Sequence, residues 1–166
     1  MVYARVESVV KNGSKIDITL DGGKVLHAPV GLFGKVKARM LADRRARSVN
    51  SPAGPDETLP GPCGSSYVTI GYQNTAARPY LMTTGFTVTP APAISYDWWV
   101  QIDGPNGYAY DYEASGHLLS RWKWAGSHVG IGSFGRWSAM VDTLSWAVLN
   151  TGVVCNSAGP VDSHGL

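Results

Sequence analysis

The run ISYDWWVQIDGPNGYAYDYEASGHLLSRWKW, residues 94–124, decides the fold, because it holds four of the six tryptophans and four of the eight tyrosines. From Ser95 to Asp103 the residues alternate. Tyr96, Trp98, Val100 and Ile102 share one face of a strand, and Asp97, Trp99, Gln101 and Asp103 share the other. From Tyr108 to Glu113 the tyrosines 108, 110 and 112 face one way and Ala109, Asp111 and Glu113 the other. Gly104-Pro105-Asn106-Gly107 turns the chain between them. Burial cost sets the register. A four-residue loop would bring Asp111 and Glu113 beside Trp98 and Val100, burying unpaired carboxylates at several kcal/mol each. A three-residue loop, Pro105 to Gly107, avoids this, with Gly107 left-handed in a bulged turn and Trp99 opposite Glu113. A third strand, Ser120 to Trp124, is expected to turn Trp122 and Trp124 inward and Arg121 and Lys123 outward.

This register leaves an outer face bearing Asp97, Trp99, Gln101, Asp103, Asp111 and Glu113, flanked by two cations. The ordinary reading is a solvated sheet face with cross-strand charge pairs. The sharper one is a carbohydrate platform, where a sugar stacks on the Trp99 ring and its hydroxyls meet the carboxylates and the amide. A protein-binding face and a metal site are further alternatives.

Working outward, 166 residues suffice for one good core and a small appendage. Twenty glycines, ten prolines and only 16% charged residues, with many Tyr, Trp, Thr and Val, read as mainly β. No apolar run is long enough to span a membrane, and no signal peptide is visible. Residues 1–50 carry ten Lys/Arg against four Asp/Glu, and the remainder four against eight, which together give the net charge of +2. That small surplus, with no aromatics among the basic residues, speaks against nucleic acid.

Val2 to Val10, Lys15 to Leu20 and Lys24 to Ala28, separated by Asn12-Gly13 and Asp21-Gly22-Gly23, form an expected three-strand meander. Phe33 to Arg47 reads as a basic helix with Phe33, Val36, Met40 and Leu41 as its apolar stripe. Arg44-Arg45-Ala46-Arg47 could be a processing site, which would make residues 1–47 a removable propiece. Residues 48–62, SVNSPAGPDETLPGP, hold four prolines and two glycines without periodicity and read as a linker. In an adaptor or protease inhibitor the segment around Pro52, Pro55, Asp56, Glu57 and Leu59 would enter a partner's cleft. Strands are expected from Cys63 to Gln73, Tyr80 to Thr89, Arg136 to Asp142 and Leu144 to Cys155, the last bent at Gly152. Gly126 to Gly135 reads as loop, and the tail from Asn156 as frayed.

Cys63 and Cys155 bracket this second region. Their positions fit a disulfide clasp, worth about 4–5 kcal/mol in chain entropy, in an oxidising compartment. The spacing matches no zinc or redox motif. No nucleophile elbow or HExxH motif is present, and the four histidines are scattered. Asp111 or Glu113 with Asp97 or Asp103 could serve a glycoside hydrolase, but open-face carboxylates are far more often solvated. Catalytic residues, metal and cofactor are therefore not assigned.

CGSSYVTIGYQ from Cys63, the tryptophan-rich meander and the late Cys155 together resemble small, mostly uncharacterised secreted proteins of Gram-positive actinobacteria. The resemblance covers about the last hundred residues and implies export without implying an activity. The expectation is an antiparallel β-sandwich or flattened barrel over residues 63–166. A linker at 48–62 joins it to a small β-meander plus helix at 1–47. Its function is expected to be non-catalytic binding outside the cell, of a protein partner first and a glycan second.

Overall fold

The structure, a computed structural model, describes residues 1–45, 58–72, 79–131 and 133–165. The chain begins with β1 (Val2–Tyr3), β2 (Val6–Asn12), β3 (Lys15–Leu20), β4 (Val25–Pro29) and helix α1 (Phe33–Arg45). It continues through β5 (Thr58–Gly61), β6 (Gly64–Tyr72), β7 (Pro79–Val88), β8 (Ala93–Gly104) and β9 (Tyr108–Arg121). The last strands are β10 (Lys123–Ile131), β11 (Arg136–Val141), β12 (Trp146–Leu149), β13 (Val154–Asn156) and β14 (Val161–Gly165). They form antiparallel sheets of seven, four and three strands, none closed on itself. The fold is the mainly-β sandwich, not the flattened barrel.

β8 is the spine of the large sheet. Its register with β9 is the expected one, with Gly104 opposite Tyr108 and Trp99 opposite Glu113. Asn106 and Gly107 both take left-handed φ, 59° and 75°, in the turn. Trp98, Val100 and Ile102 are fully buried against Val68 and Ile70 of β6 and Met82 and Phe86 of β7. Along its other edge β8 pairs β12 with its N-terminal half and β11 with its C-terminal half.

The expected third strand is corrected. β9 runs on to Arg121, Ser120 adopts φ 52°, and β10 then joins the four-stranded sheet beside β7. Ser120 breaks the alternation, so Trp124 packs on Tyr96 at 4.5 Å between centroids while Trp122 is 51% exposed. The expected glycine-rich loop is largely strand β10. A Cβ at Gly130 would stand 2.5 Å from the buried Tyr80 ring, and one at Gly126 would strike the Tyr112 hydroxyl. Those glycines make room for aromatic rings rather than for a bend. The tail is not frayed either: β14 pairs β11 from Met140 to Arg136.

The first expected strand is divided. Val2 and Tyr3 leave the meander to pair with Asn156 and Cys155 of β13. Met1 lies in the main core, where its amino group donates to the Gly64 carbonyl at 2.7 Å. β2, β3 and β4 form the small sheet, and Ile16, Ile18, Leu26 and Val36 pack with Trp146, Val148 and Val154 of the large one. β12 is consequently buried on both faces, which explains its unbroken apolar run, Trp146 to Leu149. Cys63 and Cys155 form the disulfide, both fully buried, with Cα atoms 6.0 Å apart.

Candidate functional site

The outer face of β8 and β9 gathers the expected residues. Asp97, Trp99, Gln101 and Asp103 alternate along β8, with Glu113 across from Trp99 and Asp111 across from Gln101. Glu113, Asp111, Gln101 and Asp103 are exposed, and Asp97 and Trp99 are partly buried. A groove of about 480 Å³ lies over Trp99, Gln101, Asp111 and Glu113. Met140, Asp142 and Thr143 form its other side. Asp103 lies beyond this lining, its carboxylate accepting from Gln101 Nε2 at 3.1–3.2 Å. Asp97 belongs to the neighbouring cleft.

Trp99 is held by its backbone at the gap where β11 ends and β12 begins. Its N–H donates to Ser145 Oγ at 2.9 Å, and the Ser145 hydroxyl donates to its carbonyl at 3.2 Å. Asp142 N–H donates to the same carbonyl at 2.9 Å. The ring does not stand free. Consecutive left-handed Gly22 and Gly23 turn β3 into β4 and deliver Lys24, whose Nζ sits 3.8 Å over the indole centroid. The same ammonium donates to the Leu144 carbonyl at 2.6 Å.

Burial dominates the electrostatics here. Desolvation holds the Lys24 pKa below its ordinary value, partly offset by Asp142 and Asp97. Desolvation also raises the Asp97 pKa. Lys24 opposes that shift, and Glu113 adds to it. The cation beside the acidic face is therefore Lys24 of the small sheet. Arg121 ends β9 opposite Ala93, and Lys123 stands on the other sheet opposite Thr87. Lys24, Asp142 and Ser145 were not legible as site residues. Nothing in their local sequence marks them, since the packing of two sheets brings them to Trp99.

Pro52, Pro55, Asp56 and Glu57, on which the adaptor expectation rests, lie outside the described residues, as does Arg47 of the expected processing site. Leu59 falls on β5, the outer strand of the four-stranded sheet. Among the described residues no cluster of three His, Cys, Asp or Glu is placed to hold a metal ion. No helix among them is long and apolar enough to cross a membrane. Compared with known families and with curated proteins, the chain matches none.

Proposed function

We propose that the protein is a non-catalytic module that binds carbohydrate outside the cell, on the outer face of β8 and β9. The observation that carries this reading is the groove around Trp99. Its floor is built from one aromatic ring, one amide and two carboxylates on adjacent strands. With Lys24 over one face of the Trp99 ring, this surface offers the ring's remaining apolar contact to a sugar, and acceptors and donors to its hydroxyls. The carboxylates Asp97 and Glu113 stand on neighbouring strands of a single face rather than across a cleft from each other. That arrangement favours binding over attack from two sides of a glycosidic bond. The buried disulfide supports action in an oxidising compartment, in keeping with the resemblance to exported proteins.

A glycan array followed by titration tests the reading. Trp99→Ala should fold and reduce sugar affinity at least tenfold, and Gln101→Ala should weaken it several-fold. An array that stays blank with the wild-type protein, or binding indifferent to both substitutions, removes the groove from function.

A further inference from the structure

An exposed sheet edge is a row of unpaired backbone donors and acceptors, and proteins blunt such edges with short strands, charges, prolines or bulges. Edges elsewhere among the described residues are blunted in this way. β1, β4, β5 and β14 are two to five residues long, and β5 contains Pro60. β2 carries Glu7 and Lys11 and shifts register between Val6 and Ser8. β9 carries Asp111, Glu113 and Arg121. β10 is the exception. It borders the four-stranded sheet with only β7 beside it, is nine residues long, and keeps an unbroken register with β7 from Lys123 to Ile131. Lys123, its first residue, is the sole Lys, Arg, Asp or Glu in the strand. His128 turns inward and stacks on Tyr110 at 4.3 Å between centroids.

The direction of the free backbone groups follows from the ladder. Val88 N–H donates to the Trp122 carbonyl at 2.9 Å, which makes Trp122 and Val88 a hydrogen-bonded pair in the register of β10 with β7. Such pairs alternate with non-bonded ones along an antiparallel ladder. The even-numbered residues of β10 therefore bond β7, and Lys123, Ala125, Ser127, Val129 and Ile131 direct their N–H and C=O groups outward. The side chains of the same five residues are exposed, Val129 at 48% and Ile131 at 81%. Exposed Leu119 and Trp122 lie just ahead of Lys123 in the chain.

We propose that β10 is a dimerisation edge, pairing antiparallel with β10 of a second copy of this chain about a two-fold axis at Ser127. Ser127 is the middle residue of the strand, so this register uses its whole length. The outward groups of the five residues in each copy would make roughly ten ladder hydrogen bonds. A second copy is the fitting occupant because the edge complements itself. Ala125 falls opposite Val129 of the second copy, and Lys123 opposite Ile131 of the second copy. The lysine's methylenes then cover the exposed isoleucine. The two copies of Lys123 stand about 27 Å apart at opposite ends of the ladder, beyond the range of their repulsion in physiological salt. The axis of such a ladder is normal to the sheet, so the large sheets of both copies would lie on one side and their Trp99 grooves would face the same way. The dimer does not depend on what those grooves bind.

Light scattering on the full chain, from micromolar to millimolar concentration, should give a mass that rises toward twice that of one chain. Amide exchange at Ala125, Ser127 and Val129 should slow over the same range, a readout that needs no substitution. Ser127 is exposed and meets its own copy across the axis, so a charge placed there faces its like. Ser127→Lys and Ser127→Glu should each fold and weaken self-association at least tenfold. An equimolar mixture of the two variants should restore it.

A wild type that stays monomeric at millimolar concentration, with amide exchange unchanged, would overturn the proposal. If a capped Val-Thr hexapeptide then moved the β10 amide signals, the edge would belong to extended peptides instead. Self-association untouched by either substitution would place the contact on another surface. Loss in both variants without recovery on mixing would overturn the two-fold pairing at Ser127.

Discussion

Trp98 and Trp99 are adjacent and identical, yet alternation gives them opposite environments. Trp98 is fully buried and donates from Nε1 to Thr84 Oγ1 at 2.9 Å. Trp98→Ala should cost about 3–5 kcal/mol in denaturant unfolding, while Trp99→Ala should cost far less. Asp97, beside them, faces outward but is partly covered by the small sheet. Because its pKa in the folded chain is raised, it keeps a proton over a range in which the unfolded chain has released it. Its contribution to stability is therefore greatest below its ordinary value of 3.8 and is lost as pH rises through the folded-state value. Asp97→Asn should then melt higher than wild type at pH 7, by less than about 1 kcal/mol since water still reaches the group. The advantage should vanish below pH 3.8. A variant that melts lower at pH 7 would show that attraction to Lys24 outweighs desolvation. The outward placement of Asp97 was legible in the alternation. Its partial burial was not, because the residues of β4 that stand beside it are about seventy positions away.

At the scale of the element, β8 and β9 were legible because an apolar-polar alternation and a turn signal agree on one register. β10 was hidden because its inward positions include Gly126 and Gly130, which leave no apolar mark. The space they provide is taken by Tyr112 and Tyr80, so the strand's core-facing volume is supplied by its neighbours. Tyr80 has little freedom to yield: it is fully buried, 4.6 Å from Trp137 between centroids, and its hydroxyl lies 2.9 Å from that of Tyr108. Gly130→Ala should therefore destabilise by about 1–3 kcal/mol through overpacking. Gly71→Ala is the control, for a Cβ there has nothing within 4 Å. Equal melting temperatures for the two variants would show that Tyr80 can give way.

Across the whole molecule, sequence patterns mark the strands of the first forty-five residues but not what those strands cover. Apolar alternation in β3 specifies a buried face, and nothing local specifies that its partner is Trp146, Val148 and Val154. The same interface brings Lys24 over Trp99 and β4 to the wall of the neighbouring cleft beside Asp97, so the small sheet completes the candidate site. It also bears on the fate of residues 1–47 after a cut at the Arg44-Arg47 cluster. β1 pairs with β13, Met1 fills the main core, and Ile16, Ile18, Leu20 and Leu26 lie under 4% exposed against the large sheet. Burying four such side chains contributes about 1.5–3 kcal/mol each, an upper estimate for area removed from water. Breaking one peptide bond removes none of it. Protein cleaved after Arg47 should accordingly elute as a single species under native conditions and separate into two only in denaturant. Residues 48–166 produced alone should expose Trp146, Val148 and Val154, bind a hydrophobic dye and aggregate. If that fragment instead stays monomeric and melts with the intact chain, the small sheet is dispensable. Lys24 and β4 would then lose their place in the site.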